Sequence, residues 1–235
     1  MREVNTQIGV YLEPRDPKEH EKRMLEILRE HFPDNPGCVI DIGCARGTFL
    51  KMLAGEFPRA QLTGIDISEE LINEAKKSMP NNNVELVVSD MIKYSPPKSF
   101  DVAIASGILS IFEDFEAPLE KWLSWLNNIG KLFIFGCFNS RNIDTIIQFR
   151  NNAIGNNNWE GGLTSYSTNT VGSYLLKQGC TFQFERFEIK FDIPRSDDPI
   201  TSYTIPTTDG HRMLVTGANN VYELWFLVVE KHMSK

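Results

Sequence analysis

An α/β fold on a doubly wound parallel sheet is what this 235-residue chain predicts. Three observations predict it. Short aliphatic runs alternate with helical segments between residues 38 and 137, the pattern of repeated βα units. A glycine-bearing turn joins the first such run to the helix after it. Acidic or small polar residues (Asp41, Asp66, Asp90, Ser106) recur where the strands should end. That is the edge along which open α/β sheets bind ligands.

The opening stretch, 1–15, carries few periodic signals, and Met1-Arg2-Glu3-Val4-Asn5 lacks the apolar run of a signal peptide. Asp16-Pro17-Lys18-Glu19 reads as a helix start, with Asp16 as N-cap, Pro17 at the first helical position and Glu19 closing a capping box. Met24, Leu25, Ile27, Leu28 and Phe32 then form an apolar stripe, so a helix is expected over 16–32, stopped by Pro33 and the Asp34-Asn35-Pro36-Gly37 turn. Strand 38–42, helix 47–56, strand 61–66, helix 69–78, strand 84–88, strand 100–105, helix 115–127 and strand 131–137 follow. Ser68 caps the helix at 69–78, and Glu69 and Glu70 suit its positive end.

Farther on, Val171, Tyr174, Leu175 and Leu176 give a short helical pattern, with Gly179 as its C-cap. Thr181–Ile193 alternates apolar and polar residues, and the phase slips by one at Arg186, the mark of a β-bulge. Its aromatic stripe reads as core. Val221–Glu230 is apolar enough for a buried strand. Two long connections remain, about 139–170 and 194–220. Ile143, Ile146, Ile147 and Phe149 suggest a helix in the first, ahead of the polar run Asn156-Asn157-Asn158-Trp159-Glu160. Loops of this length in a compact domain are usually functional, and both are expected to act as substrate lids on the binding edge.

Val39–Leu50 is the most informative stretch: V-I-D-I-G-C-A-R-G-T-F-L. A strand runs into a small-residue turn and then a helix, whose free N–H groups aim at whatever lies in the turn. The dinucleotide pattern G-x-G-x-x-G would need glycine at 43, 45 and 48, where the chain has Gly43, Ala45 and Thr48. No P-loop Gly-Lys-Ser/Thr follows. The spacing D-x-G-x-[GA]-x-G, at Asp41, Gly43, Ala45 and Gly47, resembles motif I of the class I S-adenosylmethionine-dependent methyltransferases. Ala45 replaces the commoner glycine and is expected to keep a negative φ. Asp66 follows Asp41 by twenty-five residues, closing Gln61–Ile67. S-F-D-V-A-I-A-S-G-I-L (99–109) and I-G-K-L-F-I-F (129–135) are similar to the family's later motifs. The resemblance covers roughly 20–140 well and the remainder loosely.

The resemblance implies a Rossmann-like doubly wound sheet of seven strands, the last antiparallel, with helices on both faces. It implies one domain over 1–235 and S-adenosyl-L-methionine as cofactor, leaving S-adenosyl-L-homocysteine as product. Asp41 and the turn Gly43-Cys44-Ala45-Arg46-Gly47 would hold the methionine part, with Cys44 filling space beneath the cofactor. Asp66, followed by Ile67, would take the ribose, and Asp90 with Met91 the adenine. Ser106 and Gly107 would line the methionine end near the transferred methyl.

Composition agrees with a cytoplasmic enzyme. The net charge of −7 and the lack of a basic run argue against nucleic acid as partner. The cysteines, at 38, 44, 137 and 180, show no C-x-x-C spacing, so no metal is expected. No apolar run approaches a membrane span.

The acceptor side is less determined. The fourth strand ends in Ala-Ser-Gly-Ile, unlike the Asn/Asp-Pro-Pro-Tyr/Phe of enzymes that methylate planar amide or amino nitrogens. Ser110-Ile111-Phe112 stands where many small-molecule relatives carry a histidine. His211, with Asp209 and Arg212 nearby, is the first candidate base, and Glu160 beside Trp159 the second; an exposed loop histidine is the alternative for His211. His20 and His31 fall on the first helix, where solvent exposure is expected, although the family's first helix can border the pocket. Tyr11 could close over the cofactor, and Arg195 and Arg212 would suit a carboxylate-bearing acceptor. The expected function is methyl transfer to a small molecule, at oxygen. A non-catalytic cofactor-binding module and a nicotinamide-dependent oxidoreductase stay open as alternatives.

Overall fold

The computed structural model describes residues 11–79, 83–150, 152, 159–195, 201–216 and 220–232. The N-terminal residues 1–10, the polar run 156–158 and residues 196–200 and 217–219 of the second connection lie outside them. Chain order begins α1 (Glu19–His31), β1 (Cys38–Ile42), α2 (Thr48–Glu56), β2 (Gln61–Asp66), α3 (Glu69–Ser78), β3 (Val84–Val88) and β4 (Phe100–Ser106). Then come α4 (Glu116–Ser124), β5 (Leu126–Asn139), β6 (Gln148–Phe149), β7 (Glu160–Gly161), β8 (Tyr166–Ser167), α5 (Thr168–Lys177) and β9 (Cys180–Arg186). β10 (Ser202–Pro206), β11 (Arg212–Thr216), β12 (Val221–Tyr222) and β13 (Leu224–Lys231) close the order.

The main sheet runs β3-β2-β1-β4-β5-β13-β9, with short β8 also paired to β5. β1 to β5 are parallel, and β13 is antiparallel to both neighbours, as expected. Two apolar layers cover the sheet. Ile40, Ile42, Leu119, Trp122 and Leu175 fill one face; Leu28, Leu50, Leu53, Val102 and Phe133 fill the other. Strands covered on both faces read as continuous apolar runs, so the central ones were easy to recognise in sequence.

Several expectations change. α1 begins after Lys18, not Asp16, because the N3 acceptor is Glu21, whose carboxylate takes the Lys18 N–H at 2.7 Å. Ala45 has φ +48°, not negative, so the turn holds a left-handed alanine at a conformational cost of order 1 kcal/mol. α4 ends at Ser124 instead of 127, and β5 starts at Leu126, paired with Phe100. Residues 143–149 form no helix: Thr145 bridges Ser165, Phe149 pairs with Glu160, and Ile143 and Ile146 are exposed. The bulge at Arg186 is absent. β9 pairs regularly to Arg186 and then leaves the main sheet, so Ile189 bridges Arg212 of β11 instead. The predicted last strand, 221–230, is split between β12, in a small sheet ordered β10-β11-β12, and β13 in the main sheet.

Candidate functional site

The turn after β1 is built by hydrogen bonds from its own backbone. Gly43 and Cys44 donate to the Ile65 carbonyl at 2.8 and 3.0 Å, tying the ends of β1 and β2 together. Gly47, at φ +78°, leads into α2, and a Cβ there would stand 2.6 Å from Met79 Cε. Gly43, at φ +72°, would press a Cβ to within 2.9 Å of Ile108. Cys44 is buried, and burial together with Asp41 and Asp66 pushes its thiol well above the usual range. It is therefore a protonated packing group under the turn.

Asp66 grips the loop from β2. One carboxylate oxygen accepts the Ala45 N–H and the other the Ser68 N–H, both at 2.9 Å. Each oxygen keeps a further lone pair. Ile67 beside it is 52% exposed, an uncovered apolar face next to the polar cradle. Asp90, half-buried, turns the chain by accepting the Ile92 N–H at 2.8 Å, and Met91 packs on the core rim. At the end of β4, Gly107 has φ +74° and nothing within 4 Å of where a Cβ would stand. Its N–H donates to the Phe135 carbonyl at 2.8 Å, while half-buried Ser106 pairs with Phe135 in register. Every expected cofactor residue thus lies at the carboxyl ends of β1, β2, β3 or β4.

Asp41 is only 4% exposed. Burial, then Glu21 and Asp66, push its carboxyl well above the ordinary range. Glu21 was not singled out in the sequence. It is buried on the first turn of α1 and held by a two-pronged Arg15 contact, at 2.7 Å for each prong, which keeps its own pKa low despite desolvation. Glu21 and Asp66 therefore both act on Asp41 at the mouth of β1, with Arg15 as the cation bound to Glu21. Arg46 reaches back to the Leu12 carbonyl and ties the segment before α1 to the turn.

His20 overturns the expectation of an exposed helix residue. Its ring stacks on Phe135 with centroids 4.3 Å apart and planes 5° apart, and Phe187 meets it edge-on at 6.4 Å. Sequence periodicity held the signal. His20 lies four residues before Met24, and Glu21 three, so both extend the buried stripe of α1 by one turn. His31 is likewise partly covered, edge-on to Phe133 with Nδ1 3.0 Å from Lys131 Nζ.

The other acceptor-side candidates sit in the two excursions. His211 lies in the turn before β11, its Nδ1 3.4 Å from Glu188. Arg212 pairs with Asp192 and donates to Thr204 Oγ1 at 2.9 Å, so its charge is engaged within the small sheet. Arg195 lies over the Tyr203 ring at 5.4 Å. Glu160 is half-buried in β7, and Trp159 is exposed beneath Arg150. Tyr11 is 45% exposed. Both excursions share a small core of Cys137, Ile189, Leu214 and Tyr222 at the carboxyl end of β5. Ser110 anchors this region: its hydroxyl accepts the Cys137 N–H at 3.0 Å, and its carbonyl accepts the Thr164 N–H at 2.7 Å.

Residues 39–130 match the family model described as a methyltransferase domain. A malonyl-[acyl-carrier protein] O-methyltransferase of Priestia megaterium is 26% identical over 116 residues, which is 49% of this chain and 42% of that protein. A trans-aconitate 2-methyltransferase of Rhodopseudomonas palustris is 29% identical over 109 residues, 46% of this chain and 42% of that protein. The chain therefore matches less than half the length of these curated relatives. Among solved structures, the N-methyltransferase NodS of Bradyrhizobium japonicum, in complex with S-adenosyl-L-homocysteine, superposes with TM-score 0.56 at 17% identity, covering 95% of this chain and 96% of that one. Residues 39–130 thus match a methyltransferase domain, and the fold is shared with a solved methyltransferase that holds S-adenosyl-L-homocysteine.

Proposed function

We propose that the protein transfers a methyl group from S-adenosyl-L-methionine to a small-molecule acceptor, at oxygen. The observation that carries it is the pairing of a buried carboxylate, Asp41, with a loop held by Asp66. The residues fit the cofactor on charge and on shape. An anionic group of Asp41, Glu21 and Asp66 suits a ligand bearing an ammonium and a sulfonium, which would relieve the cost of keeping Asp41 ionised. Free space beside Gly107 and the exposed face of Ile67 leave room for it. When bound, S-adenosylmethionine supplies an electrophilic methyl group on sulfur.

The chain's own work is to bind, align and exclude water. Asp41, Gly43, Cys44, Ala45 and Gly47 would hold the amino-acid part, Asp66 and Ile67 the ribose side, and Asp90 with Met91 the base. Ser106 and Gly107 would border the methyl. The two excursions, 139–170 and 194–220, would close the acceptor side, with Glu160 and His211 carried on them; we place no proton transfer on those two residues. The similarity to a malonyl-[acyl-carrier protein] O-methyltransferase supports transfer to oxygen, and that to a trans-aconitate 2-methyltransferase supports a small acceptor. We treat 1–235 as one domain that works in the cytoplasm.

Calorimetry with S-adenosylmethionine and S-adenosylhomocysteine tests the cofactor assignment. Asp66→Ala should weaken both about 10- to 100-fold, the loss of hydrogen bonds to a charged acceptor. A melting curve checks that the variant folds. Unchanged affinity in a folded variant would remove Asp66 from the site. Binding without turnover on pooled metabolites would favour a non-catalytic module, which the lack of a histidine after β4 allows.

A further inference from the structure

We propose that His20 is the proton acceptor of the methyl-transfer site, an inference that rests on the function proposed above. Its placement comes from two consecutive residues of the first turn of α1. Glu21 acts electrostatically on Asp41, near the end of β1, and His20 lies flat on Phe135, near the end of β5. In the sheet, β4 runs between β1 and β5. The turn carrying the two residues therefore meets residues of the strands on either side of β4, whose end carries Ser106 and Gly107. Phe135 is also the residue whose carbonyl fixes the Gly107 N–H at 2.8 Å, so the ring under His20 is part of the same strand end.

The imidazole is clamped and chemically idle. Phe135 covers one face and Phe187 approaches edge-on. Neither ring nitrogen makes a hydrogen bond among the described residues. The elements packed against it present aromatic carbon: Phe135 of β5 and Phe187 after β9. The charged groups facing it are Glu21, Lys18 and Arg15, all from its own segment. Burial outweighs them and pushes the ring down to about 4, so it is neutral throughout the physiological range.

A neutral imidazole of low basicity suits oxygen attack. As the acceptor hydroxyl attacks, its O–C bond forms and the C–S bond breaks, the electron pair staying on sulfur. The sulfonium becomes a thioether, and the acceptor oxygen briefly carries both proton and methyl. An oxonium of that kind is a far stronger acid than imidazolium, so even a weak base takes the proton downhill. The proton passes to a ring nitrogen of His20 and from there to water. A carboxylate acceptor arrives already deprotonated and gives a neutral ester without any base, which ties this arrangement to a hydroxyl acceptor.

Histidine-ring NMR on the full chain, with S-adenosylhomocysteine as probe, tests the placement. The chain has four histidines, and His20→Gln assigns the signals of the one removed. The His20 signals should titrate near pH 4 without probe and shift on saturation, while those of His31 and His232 stay fixed. His20 signals unmoved at saturation, or titrating at the ordinary value of about 6.5, overturn the proposal. A protein that binds no probe in calorimetry overturns the functional reading itself, and the inference with it. Turnover of labelled S-adenosylmethionine on pooled hydroxylated metabolites lacking a carboxyl group reads the proton step. His20→Gln should lower kcat roughly 10²- to 10⁴-fold with probe affinity kept. A variant as fast as wild type, or a wild type without turnover, overturns the role of His20 as base.

Discussion

At the scale of single residues, Asp41 sets stability against binding. Its folded pKa is raised, so the folded chain holds the proton more tightly than the unfolded chain. Stability from this group is present below the ordinary carboxylate value of about 4 and is lost as pH rises through the raised folded value. As pH rises through that value the ligand-free protein takes on a buried charge, which a cationic ligand would offset. Asp41→Asn should stabilise the ligand-free protein by roughly 1–3 kcal/mol, a few degrees in Tm at this chain length. The same variant should bind S-adenosylmethionine more weakly. Melting curves from pH 4 to 8 check both the size and the sign: the gap between variant and wild type should open as pH rises. A variant less stable at pH 8 would show that the carboxylate is satisfied within the protein.

At the scale of elements, the cofactor loop rests on a contact between β2 and α2 that only glycine permits. A Cβ on Gly64 would fall 2.4 Å from Leu50 Cδ1, 2.9 Å from Cys44 Sγ and 3.0 Å from Leu86 Cδ2. Gly64→Ala should cost about 1–3 kcal/mol by overpacking and push Cys44 against the turn. A lower urea midpoint at unchanged m, with weakened S-adenosylhomocysteine binding, is the expected result; a neutral variant would mean that α2 shifts freely. This layer was highly legible. Helix 69–78 matched residue for residue because Ser68, whose hydroxyl accepts the Leu71 N–H, marks its start locally. Signals carried by tertiary contact were not legible. The helical stripe at 143–149 failed because Asp144 is drawn away to cap α5, accepting the Ser167 N–H at 2.7 Å, and Thr145 pairs with Ser165. Periodicity sees only spacing, and these partners lie some twenty residues off. The left-handed Ala45 was hidden for a related reason: its backbone is held by Asp66, a partner on the next strand.

At the scale of the whole molecule, the protein is a parallel βα sheet with a second, smaller layer fastened to its carboxyl edge. The fastening is local. Tyr222 and Leu214 of the small sheet meet Ile189 and Cys137, with Ile147 and Leu163 of the first excursion packed around them. The Tyr222 hydroxyl reaches the Leu163 carbonyl at 3.4 Å, joining the two excursions directly. None of these residues belongs to the cofactor loop, so the two layers should be separable by mutation. Tyr222→Ala removes a buried aromatic ring and should cost about 3–5 kcal/mol within this small core. Because the main sheet has its own two apolar faces, that loss should appear as local opening and not as global unfolding. Hydrogen exchange should quicken over 145–150, 159–165 and 202–216 while β1 to β5 keep their protection. S-adenosylhomocysteine affinity should hold and acceptor turnover should fall, since the excursions proposed to close the acceptor side are the part that loosens. Uniform loss of protection across both sheets would show instead that the excursions are integral to the core, and that the acceptor pocket and the cofactor loop fold as one unit.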